Sequence, residues 1–321
     1  MTLVLNHGDV CEVATMAMAI EAMEHVYGLA GDGQTGDPRR YDIALTKGWL
    51  RLMVIEAQGL GVFGYKAMNL FPGVGVRYAV HLYDGSSGAL AAIVDAKQVT
   101  ALRTAACAAV ATDRLAPARV ERMAMIGTGA EARTQLLAMD SVRPAATVAV
   151  HSRSEANVAR FIEEMAPQVA AELTPCTSVE DAVAGAQLVV LATKSDTPVL
   201  RADHLRSGVH VNSVGAARLD QRELDSDVFA VVDLTVCDEV ELVSREAGDV
   251  AQAVVAGTFV PERAMSLAEL VRSPVERDDS AITLFKSVGS ALQDLALAGR
   301  VVEAARAKGL GRELAGFLQT K

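Results

Sequence analysis

The pattern of apolar and polar positions changes about one third of the way along the chain. Before that point, apolar residues recur at helical spacing over residues 13–29, and a glycine-rich stretch over 31–36 then ends the pattern. Three shorter apolar segments follow, and a turn signal at 84–88 separates the last two. We therefore predict one helix and then a small sheet of antiparallel hairpins, with strands over Leu60–Met68, Val76–Tyr83 and Ala89–Asp95.

After residue 100 the chain alternates between short apolar runs and helical segments. Residues 100–116 predict a strong helix that Thr100 caps, with Pro117 just beyond its end. Such alternation is typical of a parallel sheet with helices on both faces. The predicted strands cover 120–126, 147–151, 186–192, 209–214 and 228–233, and the predicted helices cover 130–139, 157–165 and 282–307.

These two patterns predict an α/β protein of two domains. A chain of 321 residues is longer than one small core usually organises. The alternating part predicts a Rossmann-type parallel sheet domain over residues 116–299. The remainder, 1–115 with 300–321, predicts a smaller mixed sheet domain, because the C-terminal helix is long enough to return to the first part of the chain.

Composition and charge exclude several classes of protein. A net charge of -10 without any run of Lys or Arg argues against binding of nucleic acid. The chain start lacks the regions of a signal peptide, and charges or glycines interrupt every long apolar stretch, so we expect no membrane span. The four cysteines and six histidines are scattered without the paired spacing of a zinc site. We expect a cytoplasmic protein with reduced thiols and no metal.

A glycine-rich turn joins the strand that ends at Ile126 to the helix that follows. Gly127 permits a tight turn, Gly129 lets the backbone approach a pyrophosphate, and Ala132 is small enough for the helix to pack on the strand. Phosphates would bind the free N–H groups where the helix begins. The alternative is a glycine-capped turn of another α/β fold. The predicted cofactor-binding residues of this turn are Gly127, Thr128, Gly129, Ala130 and Glu131.

The end of the next strand bears on the choice of cofactor. Enzymes specific for NAD usually have an acidic residue there, whereas this chain has Ser152 and Arg153. A hydroxyl and a guanidinium suit a 2′-phosphate, so we prefer NADP(H) and keep NAD(H) as possible. The alternative is that Arg153 is only a solvated residue at a helix start.

Two later strand ends are expected to face the nicotinamide, because ligands of such sheets bind at the carboxyl ends of strands. The residues there are Thr193, Ser213, Val214 and Gly215. Asp233 is a weaker candidate, equally well explained as a structural cap.

Several sequence blocks resemble those of a known family over most of the chain. They are Gly64–Lys66, Thr100–Ala106, Ile126–Ala130, Val211–Ala216, Arg222–Asp225 and Thr283–Gly289. The chain resembles the ornithine cyclodeaminase and mu-crystallin family, which includes cyclodeaminases, archaeal-type alanine dehydrogenases and ketimine reductases. The resemblance implies a dinucleotide-binding domain and a smaller sheet domain that mediates formation of a homodimer.

The resemblance also implies roles for three basic residues. The catalytic lysine of the family falls on Lys66, and the arginine that binds the substrate carboxylate falls on Arg103. A second arginine falls on Arg39 or Arg40, of which we favour Arg40 for substrate binding. Alone, Lys66 would be interpreted as a solvated lysine and Arg103 as an exposed arginine at a helix end.

Physical reasoning is compatible with both assignments. Arg103 would lie in the first turn of its helix, where a cation is unfavourable unless an anion such as a substrate carboxylate joins it. Lys66 would lie near the end of a glycine-flanked strand, where desolvation lowers the pKa of a lysine.

One departure from the cyclodeaminases narrows the predicted reaction. The catalytic aspartate of those enzymes would fall at Ala217, and a methyl group does no acid–base chemistry. The sequence therefore predicts an NAD(P)H-dependent imine or ketimine reductase that is reversible as an amino-acid dehydrogenase and acts on a small carboxylate. The alternatives are a cyclodeaminase-type or lyase reaction with NAD as a recycled catalyst, and a nucleotide-dependent ligand-binding protein.

Overall fold

The computed structural model describes residues 1–273 and 275–318. In chain order, its strands and helices are β1 (Thr2–Leu5), α1 (His7–Val13), α2 (Met16–Gly31), β2 (Arg39–Leu45), β3 (Gly48–Ala57), β4 (Val62–Phe71), β5 (Gly75–Asp84), β6 (Leu90–Asp95), α3 (Lys97–Leu115), β7 (Val120–Ile126), α4 (Ala130–Val142), β8 (Ala145–His151), α5 (Glu155–Met165), β9 (Glu172–Pro175), α6 (Val179–Val183), β10 (Leu188–Leu191), β11 (His210–Ser213), α7 (Val228–Val231), β12 (Leu234–Cys237), α8 (Val240–Glu246), α9 (Gly248–Ala256), β13 (Met265–Ser266), α10 (Leu267–Arg272), β14 (Thr283–Lys286), α11 (Ala291–Lys308) and β15 (Arg312–Leu314).

The chain forms two compact units. The mixed-sheet unit comprises Met1–Arg103 and the chain from Ser290 onward, and the parallel-sheet unit comprises Thr104–Gly289. Both boundaries lie earlier in the chain than those we predicted at 115/116 and 299/300. The first boundary falls inside α3, and α11 belongs to the mixed-sheet unit from its first residue because it packs on β3, β4 and β5.

The mixed-sheet unit contains a seven-stranded sheet in the order β15-β1-β6-β5-β4-β3-β2. Only β1 and β6 pair in parallel, and every other pair of this sheet is antiparallel. The three predicted strands correspond to β4, β5 and β6. We did not predict β2 and β3, because β2 is exposed along nearly its whole length and lacks the alternation of a half-buried strand.

Two helical predictions in this unit need correction. The helix predicted over 13–29 is α2, which begins only at Met16 because Thr15 caps it by accepting a hydrogen bond from Met18 N at 3.2 Å, and the preceding helix α1 was not predicted. The helix predicted from Thr100 begins at Lys97, whose N–H donates to the carboxylate of Asp95 at 3.2 Å. Thr100 is not its cap and instead donates its hydroxyl to Ala96 O.

The parallel-sheet unit confirms the predicted Rossmann-type fold. All neighbours in the order β13-β12-β14-β11-β10-β7-β8-β9 are parallel. After β7, strands β8 and β9 lie on one side of β7, whereas the later strands β10 and β11 lie on its other side. This reversal of direction defines the switch point at which ligands of open α/β sheets bind. A core of small aliphatic residues, such as Ala124, Val189 and Val211, fills the sheet interior.

Two predictions for the later part of the chain are wrong. The apolar run predicted as a strand over 228–233 is helix α7 at Val228–Val231, and the strand β12 begins only at Leu234. The helix predicted over 282–307 starts at Ala291, because Thr283–Lys286 forms strand β14. In both places a short apolar run fits a buried strand as well as a buried helix, so periodicity does not separate them.

Candidate active site

Lys66 lies in the middle of β4 and not near its end, as we had expected. Its side chain is 1% exposed. Across the sheet Lys66 is opposite Met53 of β3, and Met53 is opposite Arg40 of β2. Because successive side chains of a strand point to opposite faces, Arg40 shares a sheet face with Lys66 and Arg39 does not. That face packs against α11.

A carboxylate on α11 brings two of the predicted residues together. Asp294 Oδ1 accepts hydrogen bonds from Lys66 Nζ at 3.1 Å and from Arg103 Nε at 3.1 Å. Arg103 Nη1 donates to Gln293 Oε1 at 2.6 Å, and Gln293 Nε2 donates to the hydroxyl of Tyr27 at 2.7 Å. We call Lys66, Arg103, Gln293 and Asp294 the Lys66 cluster, and all four side chains are buried.

Burial lowers the pKa of Lys66 from 10.5 to about 8. Asp294 opposes this change, while Arg103 and Arg40 add to it. The ammonium nitrogen also lies 5.2 Å from the centre of the Tyr78 ring. A lysine in this environment exchanges its proton near neutral pH, as a general acid or base requires.

Arg103 lies in the second turn of α3, because that helix begins at Lys97 and not at Thr100. The helix dipole therefore acts only weakly on Arg103, because its effect falls off within the first turn. The neighbouring anion that we predicted to be a substrate carboxylate is, in the protein itself, the carboxylate of Asp294.

The glycine turn after β7 has the geometry of a phosphate cradle. Gly127 adopts a φ of +113°, and a Cβ atom there would lie 2.4 Å from Ala192 O. Gly129 precedes the first residue of α4, and a Cβ atom there would meet nothing within 4 Å. The backbone at the helix start is thus open to a ligand, and the first N–H groups of α4 suit a pyrophosphate. The remaining predicted residues of this turn are Thr128, Ala130 and Glu131.

The other predicted cofactor residues lie at the carboxyl ends of neighbouring strands. Ser152 and Arg153 directly follow β8, and Arg153 is exposed. Thr193 follows β10, whereas Ser213 ends β11 and is continued by Val214 and Gly215. Asp233 lies at the opposite edge, before β12, where its carboxylate accepts from Ile282 N at 2.8 Å. It is therefore a structural cap.

The buried side chain of Glu223 forms hydrogen bonds with the ends of both β10 and β11. Glu223 Oε1 accepts from both the N–H and the hydroxyl of Thr193, at 2.6 and 3.0 Å. Glu223 Oε2 accepts from the Ser213 hydroxyl at 2.8 Å and from Gly215 N at 2.9 Å. A Cβ atom at Gly215 would lie 2.0 Å from Thr193 O, so the strand ends approach too closely for any larger residue.

A buried lysine completes this network. Lys286 Nζ donates to the Ser213 hydroxyl at 2.9 Å and to Asp249 Oδ2 at 2.8 Å. We call Ser213, Glu223, Asp249 and Lys286 the Lys286 cluster; each of the four is at most 1% exposed.

Five residues of the two clusters had no predicted role. Glu223 and Lys286 occur in sequence blocks that resemble the family, but nothing else in the sequence indicated a function for them. Gln293 and Asp294 follow the Thr283–Gly289 block closely, and two polar residues inside an apolar helix were the only signal there. Asp249 gave no signal.

Within residues 1–273 and 275–318, no group of His, Cys, Asp and Glu side chains is arranged to hold a metal ion. No helix of the described chain is both long and apolar enough to cross a membrane.

Fold and site together define a two-unit protein with a Rossmann-type sheet and a buried lysine–arginine–aspartate cluster. The family model of the ornithine cyclodeaminase/mu-crystallin family matches residues 1–309. The chain therefore belongs to the ornithine cyclodeaminase/mu-crystallin family, which confirms the resemblance seen in the sequence.

Known relatives are similar along nearly the whole chain. The ketimine reductase mu-crystallin of Macropus fuliginosus is 29% identical, over 88% of this chain and 90% of the relative. A structure of Thermococcus litoralis Delta(1)-pyrroline-2-carboxylate reductase, in complex with NADH and L-proline, is 30% identical with a TM-score of 0.92, covering 97% of this chain and 100% of that one. An archaeal alanine dehydrogenase dimer with bound NAD is 28% identical with a TM-score of 0.91, covering 98% and 99%.

Proposed function

We propose that this protein is an NAD(P)H-dependent oxidoreductase that reduces a small imino acid to the amino acid, and that it also runs in reverse as an amino-acid dehydrogenase. The observation that carries the proposal is the buried Lys66, whose pKa of about 8 suits proton transfer to nitrogen. The names of the relatives support the same reaction type, since they include a ketimine reductase and a pyrroline-2-carboxylate reductase.

In this proposal the basic residues of the mixed-sheet unit have different roles. Arg103 and Arg40 bind the substrate carboxylate, and the planar guanidinium of Arg103 suits a two-oxygen ligand. Protonated Lys66 donates its proton to the substrate nitrogen during reduction and takes it back in the reverse direction. Orientation of the substrate by the arginines contributes much of the rate.

The cofactor residues belong to the parallel-sheet unit. The turn from Gly127 to Glu131 would hold the pyrophosphate, and Thr193, Ser213, Val214 and Gly215 would line the nicotinamide end. The bound dinucleotide supplies the reducing equivalent, while the protein supplies binding and orientation.

We further propose a preference for NADPH over NADH. It rests on Ser152 and Arg153 at the end of β8, where no carboxylate is present to bind a ribose 2′-hydroxyl. Replacing Arg153 with Glu is expected to raise the KM for NADPH and lower the KM for NADH. Equal effects on both cofactors would contradict this preference.

We also propose that the protein is a homodimer formed through the outer face of the seven-stranded sheet, opposite Lys66. Apolar side chains are exposed on this face: Tyr41, Ile43, Leu45, Phe63 and Phe71. Rings of Phe63 and Tyr83 stack on it at 5.1 Å. An exposed apolar surface of this extent is typical of a protein interface.

The dimer proposal predicts the effect of one added charge. Ile43→Asp is expected to give a monomer by light scattering, whereas Val255→Asp, at an exposed position of the other unit, leaves the mass unchanged. A monomeric parent protein would refute the dimer.

Four free cysteines in the described chain support the cytoplasm as its compartment.

The reaction is tested by the absorbance of the reduced cofactor. Purified protein is mixed with NADPH or NADH and with a panel of cyclic imines, or with 2-oxo acids and ammonia or methylamine. We expect one panel member to be reduced with one cofactor oxidised per amino acid formed.

The stoichiometry distinguishes the alternatives. Release of ammonia from a diamino acid without net cofactor oxidation would indicate a cyclodeaminase, which Ala217 disfavours because its methyl group cannot transfer protons. Nucleotide binding without any turnover across the panel would indicate a ligand-binding protein.

A further inference from the structure

Asp294 is the one anion described in the Lys66 cluster, and it uses its oxygens unequally. Oδ1 accepts from Lys66 Nζ and Arg103 Nε, both at 3.1 Å. Oδ2 is buried and has no hydrogen-bond partner among the residues the structure describes. The side chain is fully buried, so solvent does not screen its interaction with the two cations. Whatever fixes this carboxylate therefore fixes both basic groups.

We infer that Asp294 is a positioning residue of the active site, which holds Lys66 and Arg103 at one point and keeps the proton on Lys66. This inference rests on the proposed role of Lys66 as the proton donor. Nothing in the family resemblance or in the comparisons gave Asp294 a role.

The charges that face Lys66 explain why this carboxylate matters. Arg103 of α3 and Arg40 of β2 both repel the ammonium group, and burial disfavours it further. The ring of Tyr78 on β5 offers a weak attraction. The cross-strand neighbours Met53 and Val80 carry no charge. Among the charged groups of the described residues that act on Lys66, Asp294 is the one that stabilises its protonated form.

The same carboxylate sets the orientation of Arg103. Two separate partners hold the guanidinium, Asp294 at Nε and Gln293 at Nη1. The partner at Nη1 can be removed without changing the charge next to Lys66. The chain thus offers a matched control for the effect of Asp294.

The first test compares the pH profiles of turnover. In the parent protein, kcat/KM for imine reduction is expected to fall as the pH rises through about 8, where Lys66 of the free enzyme loses its proton. In Asp294→Asn this fall is expected at least about one pH unit lower, because the carboxylate that favours the protonated form of Lys66 is gone. Gln293→Met is expected to raise the KM for the imino acid and to leave the position of the fall unchanged. A fall at the same pH in Asp294→Asn and the parent would overturn the inference.

A second test needs no turnover. Lysine side chains are labelled with carbon-13, and the Lys66 signal is identified by its loss in Lys66→Met. The signal is expected to titrate at lower pH in Asp294→Asn than in the parent. If the parent reduces no imine but this shift is found, the proposed function fails and the control of Lys66 by Asp294 stands. An unchanged titration refutes that control.

A third measurement covers the case in which Asp294→Asn does not fold. Aspartate carboxyl carbons are labelled in the parent protein and in Lys66→Met. One carboxyl signal is expected to move as Lys66 titrates in the parent and to stay still over the same range in Lys66→Met. A parent protein without such a coupled signal overturns the inference.

Discussion

Among the residues that the structure describes, each of the two units has one buried lysine, and the two lysines differ in what surrounds them. Lys286 donates to two acceptors, and its partner Asp249 also accepts from Glu223 N. Lys66 has one described acceptor atom, Asp294 Oδ1, and shares it with Arg103. Two further cations act on Lys66, whereas the Lys286 cluster combines one lysine with two carboxylates.

The two buried lysines differ in the charges and hydrogen-bond acceptors around them. In the Lys286 cluster, the oxygens of Glu223 accept from Thr193, Ser213 and Gly215, so the network holds the strand ends in place. A satisfied network of this kind gives rigidity. Burial lowers the pKa of Lys66, and the positive charges of Arg103 and Arg40 lower it further. In the proposed reaction this excess of positive charge also favours binding of a substrate carboxylate.

The largest expected effect is on stability, which the loss of Lys286 should lower more than the loss of Lys66. Lys286→Met leaves two buried carboxylates without their cation, which is expected to lower the free energy of unfolding by about 3–5 kcal/mol. Lys66→Met leaves Asp294 paired with Arg103, so the change should stay within about 1.5 kcal/mol. Urea denaturation of both variants measures the difference. Equal losses would mean that the two clusters play the same structural role.

The pH dependence of stability gives a smaller effect with a definite sign. The pKa of Lys66 is about 8 in the folded protein, against an ordinary value of 10.5, so the unfolded chain binds more protons between these values. Stability should therefore rise with pH over this window, by about 1.4 kcal/mol per unit, relative to Lys66→Met. Below pH 8 the two proteins should show parallel curves. A difference that is flat or decreases across the window would contradict the lowered pKa.

The smallest expected effect concerns the shape of a cation. Arg103→Lys keeps the charge but loses the planar fork, so it cannot hold Asp294, Gln293 and a substrate carboxylate together. We expect the KM for the imino acid to rise about 10- to 100-fold, which corresponds to one charge-assisted hydrogen bond.

The exposed pair Arg201–Asp203 offers a control, because Arg201→Lys should leave the kinetics unchanged. An Arg103→Lys variant with the parent KM would show that Arg103 does not bind the substrate.

Local signals in the sequence sufficed for the four central strands of the parallel sheet, β7, β8, β10 and β11. The strand Val120–Ile126 and the glycine turn were predicted with their bounds, because an apolar run, a positive-φ glycine and a helix start all lie within a few residues. The prediction failed for residues 228–233, where a short apolar run carries no period that separates strand from helix.

The active-site cluster could not be predicted in the same way. Lys66 and Asp294 are 228 residues apart in sequence, and no local pattern indicates that they meet. Lys66 and Arg103 were found only through the family resemblance. Asp294 was missed because its role depends on two partners from β4 and α3, which only the folded chain brings together.

In the proposed reaction, Lys66 supplies the proton for imine reduction. The most direct test of this role is a single turnover, in which protein saturated with reduced cofactor is mixed with the cyclic imine that the parent accepts. Lys66→Met is expected to oxidise the cofactor about 10²- to 10⁴-fold more slowly than the parent, with the Kd for the cofactor unchanged. A variant that reduces the imine at the parent rate would contradict this role of Lys66.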